Sequence, residues 1–258
     1  MVWIFVSGRF SGFLLLLLLL GLILFYMDRA KKGKLETVRK LAPIEALEEA
    51  VGRAIELGKP IMTTYSFEDS FSAPNMVGLE SVRYVSKLAA AKGGKVLVGV
   101  GAARTLPLAV ENYRLGCVEA GAPEMFDDRN VYFFTQQQWA YTSGVIGLMN
   151  KERPAACTFI GPFLVEGIHL GIVSRRIGTI SIGGNTSYSM GAFMFVTMDY
   201  LLLGEEMFAA SAYMSGDPIL ISNITAGDTV KWVLGIVILV GTVVALIGTN
   251  YIGQLLGV

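Results

Sequence analysis

Long uncharged apolar stretches lie near both ends of the chain. Phe10–Met27 carries no charge over eighteen positions, and seven of these form the leucine run Leu14–Leu20. Eighteen helical residues rise about 27 Å, which is close to the hydrocarbon thickness of a bilayer. A second uncharged run covers Val233–Ile247 and extends to Tyr251. The pattern predicts a transmembrane helix at each end, with everything between them on one side of the membrane.

Between these runs, helical and strand patterns alternate. Pro43–Leu57 has apolar residues at helical spacing with glutamates on the opposite face, and the short apolar run Pro60–Tyr65 follows it as a strand. Further helices are predicted over Val77–Ala91, Leu106–Ala120, Gln137–Asn150 and Phe163–Arg176, and further strands over Lys95–Val100, Val131–Phe134, Ala156–Ile160 and Thr179–Ile182.

This alternation determines the predicted fold class. Short, continuously apolar strands joined by helices are typical of crossover connections and of a parallel sheet that is buried on both faces. We therefore predict a doubly wound α/β domain with a mainly parallel sheet, flanked by two transmembrane helices. The ranges are 1–28 for the N-terminal anchor, 29–42 for a basic juxtamembrane linker, 43–226 for a cytoplasmic α/β domain and 227–258 for the C-terminal transmembrane helix.

Basic residues predict the orientation of the chain in the membrane. Only Arg9 precedes the first span, whereas a cluster follows it, made of Arg29, Lys31, Lys32, Lys34, Arg39 and Lys40. Lysine and arginine are retained on the cytoplasmic side of a membrane. The cluster therefore predicts a two-pass plasma-membrane protein, with its domain in the cytoplasm and both termini outside.

The composition narrows the classes of function. The chain is 53% hydrophobic and 16% charged, with 21 basic and 21 acidic residues, so no net positive field draws it to nucleic acid. Its single histidine, His169, excludes a multi-histidine metal site, and we expect neither a metal nor a cofactor. Cys117 and Cys157 stand in no paired-thiol motif, and they fit a reducing compartment as core thiols.

A glycine-rich sequence follows the strand that is predicted over Lys95–Val100. Gly99, Gly101 and Arg104 belong to a Gly-Val-Gly-Ala-Ala-Arg sequence at a strand-to-helix turn, where a phosphate is bound in many nucleotide sites. The last position is Arg104 rather than glycine or alanine, and no acidic residue follows the next strand, so the dinucleotide fingerprint is incomplete. A tight turn also accounts for these glycines, and we favour that interpretation.

A second glycine-rich turn is predicted at Ser181–Ser187. In an open parallel sheet, ligands bind beyond the carboxyl ends of the strands, so both turns lie on the same predicted rim. The candidate ligand-binding residues of this rim are Gly99, Gly101, Arg104, Gly183, Gly184, Asn185 and Thr186. They are suited to a small anion or a nucleotide, although ordinary loop chemistry explains them as well.

Acidic residues supply the remaining candidates for chemistry. Glu166 and His169 have the spacing of a di-iron helix, but that site needs two such motifs and one histidine cannot supply them. A helix residue with a local partner explains this pair better. Glu205 and Glu206 precede an apolar helix, where the helix dipole stabilises negative charge. An acid/base role for this pair is conceivable only if both carboxylates line a cleft. We assign no catalytic residue.

The stretch Met190–Leu203 is almost wholly apolar, interrupted only by Thr197 and Asp199. It allows a strand or a helix, a membrane-contacting surface, or a subunit interface. A domain of about 200 residues does not need so much apolar surface, and monomers seldom expose large apolar patches. We therefore expect a homo-oligomer, whose interface residues would be Phe193, Phe195, Leu201, Met207, Phe208 and Tyr213.

Two segments carry a resemblance to a known family. The sequence DYLLLGEEMFAASAY at Asp199–Tyr213 continues as MSGDPILISNITAGDTVKW, and FLVEGIHLGIVSRRIGTISIGGN spans Phe163–Asn185. Together they resemble an uncharacterised family of prokaryotic membrane proteins that contains a domain of unknown function. The resemblance implies a bacterial or archaeal membrane protein, and it implies no activity and no catalytic residue.

Two hypotheses of function follow from these patterns. The first is a membrane-anchored, self-associating scaffold without catalytic activity, whose partners are the bilayer, further copies of the chain and a cytoplasmic protein. The alternative is a membrane-tethered module that binds or senses a nucleotide or small anion at the predicted rim. A membrane-tethered enzyme that uses Glu205 or Glu206 is a third hypothesis.

Overall fold

The computed structural model describes residues 10–32 and 41–246, and these fall into two compact units. One unit contains the two terminal helices, and the other contains the chain up to Ser215 between them. The basic linker predicted over 29–42 lies mostly outside the described residues. The end of the second apolar run, beyond Leu246, also lies outside them.

The terminal unit is formed by α1 (Phe10–Lys31) and α9 (Pro218–Leu246). The hydroxyl groups of Tyr26 and Thr229 form a hydrogen bond of 2.8 Å between these helices. Within the described residues, one helix is long and apolar enough to cross a membrane, over Pro218–Val243 with a mean hydropathy of 1.6. The first transmembrane helix and the two-pass topology stay predictions. Because α9 begins at Pro218, it overlaps the range predicted for the domain.

The second unit is built on a six-stranded sheet in which every pair of neighbouring strands is parallel. The predicted α/β class with a parallel sheet is therefore confirmed. The strand order is β3-β2-β1-β4-β5-β6. The strands are β1 (Ile61–Thr64), β2 (Val96–Val100), β3 (Val131–Phe133), β4 (Ala156–Ile160), β5 (Ile180–Asn185) and β6 (Tyr200–Leu203).

Helices connect successive strands and cover the sheet. The helices of this unit are α2 (Ala42–Glu56), α3 (Ala73–Ala90), α4 (Leu106–Glu119), α5 (Gln138–Glu152), α6 (Glu166–Ile177), α7 (Tyr188–Thr197) and α8 (Glu205–Ser215). α3 starts four residues earlier than Val77, because Pro74 is well suited to the first turn of a helix. α6 starts at Glu166 rather than Phe163, because residues 161–165 form the loop that leaves β4.

Alternate residues of the central strands pack on opposite faces of the sheet. Val96 and Val98 of β2 belong to a buried cluster with α2, α3 and α4. Leu97, between them, belongs to a second cluster with α5, α6 and α7. Each strand therefore needs apolar side chains on both faces, which explains the continuous apolar runs in the sequence.

The apolar stretch Met190–Leu203 contains most of α7 and all of β6. In α7 the buried positions recur every three residues, at Gly191, Met194 and Thr197. Asp199 lies between the helix and the strand, and its Oδ2 accepts hydrogen bonds from the backbone N–H (2.8 Å) and the hydroxyl (2.9 Å) of Ser181. The Asp199 carboxylate therefore connects the beginnings of β5 and β6 through hydrogen bonds to Ser181.

The prediction of a glycine-rich turn at Ser181–Ser187 was wrong, because the two glycines do not lie in a turn. Gly183 and Gly184 lie inside β5, which continues to Asn185, and neither has a positive φ. A Cβ on Gly183 would overlap the sulfur of Met198, and a Cβ on Gly184 would crowd Ile160. Close packing against neighbouring elements, rather than a turn, accounts for these glycines.

Candidate functional site

The order of the strands reverses between β1 and β4. The chain leaves β1 toward β2 on one side and leaves β4 toward β5 on the other, so the two connections diverge. At such a point, the loops beyond the carboxyl ends of the strands leave a crevice in which ligands bind. A cavity of about 220 Å³, called here the switch-point cavity, opens beyond β1, β4 and β5. Its lining consists of Phe67, Glu68, Pro162, Phe163, Leu164, Asn185, Thr186 and Ser187.

The switch-point cavity combines an apolar wall with a polar edge. Phe67, Pro162, Phe163 and Leu164 supply the apolar wall from the loops that follow β1 and β4. Polar groups come from Glu68 and from the three residues at the end of β5. This combination is typical of sites for small molecules, in which apolar side chains give contact area and a few polar groups fix orientation.

Asn185 connects the loops on two sides of the cavity. Its Nδ2 donates a hydrogen bond of 2.6 Å to the backbone carbonyl of Phe163, and its Oδ1 accepts one of 2.9 Å from the backbone N–H of Ser187. The Asn185 side chain is buried, and its hydrogen bond to Phe163 is shielded from water, whereas the one from Ser187 is partly exposed. The relative position of the β4 and β5 loops therefore depends on this residue.

The backbone after β1 adopts an uncommon conformation. Ser66 is buried and has a φ of +152°, in a region that is otherwise occupied almost only by glycine. Its hydroxyl oxygen accepts a hydrogen bond of 3.0 Å from the backbone N–H of Glu68. Such strain costs about 1–3 kcal/mol and is concentrated at functional sites. Ser66 directly precedes Phe67 and Glu68, which line the switch-point cavity.

The loops after β1 and β4 approach each other very closely. A Cβ on Gly161 would overlap the backbone carbonyl oxygen of Tyr65. A Cβ on Gly78 in α3 would overlap the Tyr65 side chain and the carbonyl oxygen of Ile160. Glycine is therefore required at both positions.

A chain of hydrogen bonds connects β1, β2 and α5. The hydroxyl groups of Thr64 and Tyr141 form a hydrogen bond of 2.5 Å, and the Thr64 hydroxyl donates to the carbonyl oxygen of Gly99 at 2.7 Å. Complete burial raises the pKa of Tyr141 far above its ordinary value, so its phenol stays protonated. Gly101 packs against Phe67 and Tyr141. Aromatic residues therefore pack directly against Gly101, in the turn that the sequence suggested for a phosphate.

Arg104, the cation of the predicted rim, forms an ion pair. Its Nε lies 3.2 Å from Oδ2 of Asp69, and its backbone N–H donates to Oδ1 of Asp69 at 3.1 Å. Of the seven predicted rim residues, only Asn185 and Thr186 line the switch-point cavity. Gly99, Gly183 and Gly184 lie within strands, and Gly101 is buried. Whether any of the seven binds a ligand stays a prediction.

Glu166, at the start of α6, is a fully buried carboxylate. Its Oε2 accepts a hydrogen bond of 2.6 Å from Nε2 of Gln138, and its Oε1 accepts one of 2.8 Å from the backbone N–H of Leu164. His169, one turn later, is exposed and contacts the Trp139 ring edge-on with 5.6 Å between ring centres. Glu166 therefore has hydrogen-bond partners both in the preceding loop and on α5. Among the residues that the structure describes, no group of three or more His, Cys, Asp or Glu could hold a metal ion.

Glu205 and Glu206 lie in the first turn of α8, and neither lines the switch-point cavity. The helix dipole stabilises carboxylates at this position without any catalytic role. Catalysis by this pair stays a hypothesis without support from the geometry of the cavity.

The chain matches the model of a family described as a domain of unknown function (DUF6754), over residues 2–256. The chain belongs to this family. The resemblance to an uncharacterised family is therefore confirmed. A comparison with curated proteins gives no match.

The residues proposed for an interface in this DUF6754 chain fall into two groups. Phe193, Phe195 and Phe208 are exposed, with 55%, 71% and 41% of their surface accessible. Leu201 and Tyr213 are partly buried, and Met207 lies in the core. The exposed part of the predicted interface is therefore concentrated on α7.

The raised pKa of the buried Tyr65 predicts a loss of stability at alkaline pH. Burial raises its pKa to about 12, against the opposing effect of its hydrogen bond to the Thr105 hydroxyl. A tyrosine in the unfolded chain ionises near pH 10. The contribution of Tyr65 to the free energy of unfolding is therefore complete below pH 10, and about 2 kcal/mol of it is lost between about pH 10 and pH 12. Urea unfolding across this range should give a shallower pH slope for Tyr65→Phe than for the wild type. Equal slopes would contradict the assignment.

Proposed function

We propose that this DUF6754 chain is a membrane-tethered module that binds a small ligand in the switch-point cavity. The observation that carries the proposal is the coincidence of the cavity with the reversal of strand order between β1 and β4. In open parallel sheets this position is the usual place for a ligand. The strained backbone of Ser66 at the edge of the cavity supports the proposal independently.

The tether itself is part of this proposal. The apolar helix over Pro218–Val243 supports one membrane span, and the uncharged run in α1 supports a second. We place the α/β unit in the cytoplasm because basic residues follow the first apolar run. Protease added outside intact cells should then leave residues 41–215 intact, and cleavage within this range would overturn the orientation.

The test of ligand binding is a thermal-shift measurement on the full chain in mild detergent. The panel contains nucleotides, phosphorylated metabolites, small carboxylates and amines. A ligand present at one hundred times its dissociation constant contributes about 2.7 kcal/mol, which raises the melting temperature by about 5 °C or more. The saturable shift should disappear in Thr186→Phe, because the ring fills the switch-point cavity.

Thr186→Val is the matched control, because it keeps the size of the side chain and removes only the hydroxyl. It leaves the cavity open but removes one polar group from the lining, so it should reduce the shift without abolishing it. Arg104→Ala should retain the full shift, because Arg104 pairs with Asp69 and does not line the cavity. A shift that survives Thr186→Phe would place the ligand elsewhere and defeat the proposal. A shift abolished by Arg104→Ala would favour the rim that includes Gly99 and Gly101.

Self-association as a scaffold is the second candidate function, and one specific observation favours it. Phe193, Phe195 and Val196 project from α7 with 55%, 71% and 67% of their surface accessible. Burying such side chains against a second copy contributes about 25 cal/mol per Å² of apolar surface. Adjacent exposed aromatic and aliphatic side chains mark interaction surfaces more often than single ones do.

Mass photometry of the full chain in mild detergent tests this candidate. The wild type should form a discrete oligomer, and Phe195→Ser should shift the distribution toward the monomer. Phe71→Ser is the matched control, because Phe71 is similarly exposed, at 62%, on the loop before α3. A strictly monomeric wild type would overturn the scaffold, and an equal effect of both substitutions would remove the special role of α7.

A further inference from the structure

Resting on the proposed function, we infer the chemical class of the ligand. We propose that the switch-point cavity binds a small organic cation, namely a primary ammonium that carries an apolar group, rather than a phosphate or a nucleotide. Charge, hydrogen bonding and aromatic contacts in and around the cavity each support this class.

The charge of the lining is negative. Glu68 is the only charged residue among the described residues that line the cavity. Its carboxylate forms no ion pair within the described parts of the chain. Arg104, the cation on the next loop, is paired with Asp69 through its Nε and its backbone N–H. A phosphate would therefore meet an uncompensated carboxylate, whereas an ammonium group would neutralise it.

Two helix N-termini lie beside the cavity, and polar groups of the chain occupy both. Glu166 is the first residue of α6, and its buried carboxylate accepts the backbone N–H of Leu164 in the preceding loop. The Ser187 hydroxyl oxygen accepts the backbone N–H of Met190 at the start of α7, at 3.4 Å. The negative charge of Glu166 offsets the dipole of α6, which would otherwise favour an anion. Glu166 also adds a second negative charge close to the lining residue Leu164.

Aromatic and aliphatic side chains complete the match to an ammonium with an apolar group. Phe67 and Phe163 are among the residues that line the cavity, and aromatic faces attract organic cations. Pro162 and Leu164 offer contact surface for the apolar part. The Thr186 hydroxyl and the Glu68 carboxylate are oxygen acceptors, which is what the three N–H donors of an ammonium group require.

Isothermal titration calorimetry on the full chain in mild detergent tests this inference with three probes of related shape and one nucleotide. Phenethylamine is the cation, 2-phenylethanol is its neutral counterpart, phenylacetate is its anionic counterpart, and adenosine monophosphate represents nucleotides. At low ionic strength, phenethylamine should bind saturably and more tightly than the other three. Raising the salt concentration should weaken it, because screening reduces the attraction to an exposed carboxylate.

Two substitutions locate the interaction. Glu68→Gln should weaken phenethylamine binding about tenfold, because a charged hydrogen-bond acceptor becomes neutral. Glu56→Gln is the matched control, since it removes another exposed carboxylate, from α2, and it should leave the affinity unchanged. Unchanged binding in Glu68→Gln, or an equal loss in Glu56→Gln, would overturn the inference.

The calorimetry also distinguishes a failure of the cation inference from a failure of the proposed ligand site. If phenylacetate or adenosine monophosphate binds better than phenethylamine, and Thr186→Phe abolishes that binding, the cavity is a ligand site but not a cation site. If no probe binds, the cation inference fails, and the thermal-shift panel alone decides whether the cavity binds another ligand.

Discussion

Replacing Phe163 by alanine should lower the free energy of unfolding by about 4 kcal/mol, the middle of the range for buried phenylalanines. The side chain is fully buried and belongs to the cluster between the sheet and α5, α6 and α7. Its ring meets Phe159 edge-on, with 6.3 Å between the ring centres. Truncation removes these contacts and enlarges the switch-point cavity, which the surrounding strands cannot close. Urea unfolding of the full chain in mild detergent measures the loss.

Leu164→Ala is the matched control for this prediction. Leu164 follows Phe163 directly and also lines the cavity, but 47% of its surface is accessible. Its truncation should cost less than about 1 kcal/mol, as is usual for exposed positions. Equal losses in the two variants would mean that Phe163 is not packed as described.

Gly161→Ala should destabilise the chain by about 3 kcal/mol, the usual upper limit for an inserted methyl group in a closely packed site. The new Cβ would overlap the backbone carbonyl oxygen of Tyr65, and backbone cannot move aside as the end of a flexible side chain can. Either β1 or β4 would have to shift, which would also distort the entrance of the switch-point cavity. The melting temperature and ligand-induced shift should therefore both fall.

Gly147→Ala provides a control with the opposite sign. Gly147 lies inside α5, and a Cβ there meets nothing within 4 Å. Alanine favours the helix by about 1 kcal/mol relative to glycine, so this variant should be slightly more stable than the wild type. A Gly161→Ala variant as stable as the wild type would show that the loops after β1 and β4 do not approach as closely as described.

The sequence allowed the alternation of helices and strands to be predicted, because buried parallel strands are continuously apolar. It did not reveal the strand order, because pairing depends on contacts between segments that are far apart in sequence. The glycines of β5 illustrate the limit. Gly183 and Gly184 look like a turn locally, but close packing against Met198 and Ile160 places them within a strand.

The candidate site was predictable only in part. Asn185 and Thr186 were recognised because they follow a predicted strand, where the carboxyl end of a parallel sheet places ligand contacts. Phe67 and Glu68 were missed, although they follow β1 in the same way. The ion pair between Arg104 and Asp69 joins residues separated by 35 positions, so no local pattern reveals that this cation is already neutralised.

The most direct test of the central claim is hydrogen–deuterium exchange of the full chain, with and without the ligand that gives the largest thermal shift. The account predicts slower exchange in residues 65–69, 161–165 and 185–187, which follow β1, β4 and β5. Exchange in residues 101–105, which follow β2, should not change. Protection confined to residues 101–105, or absent from all of these loops, would contradict a ligand site at the reversal of strand order.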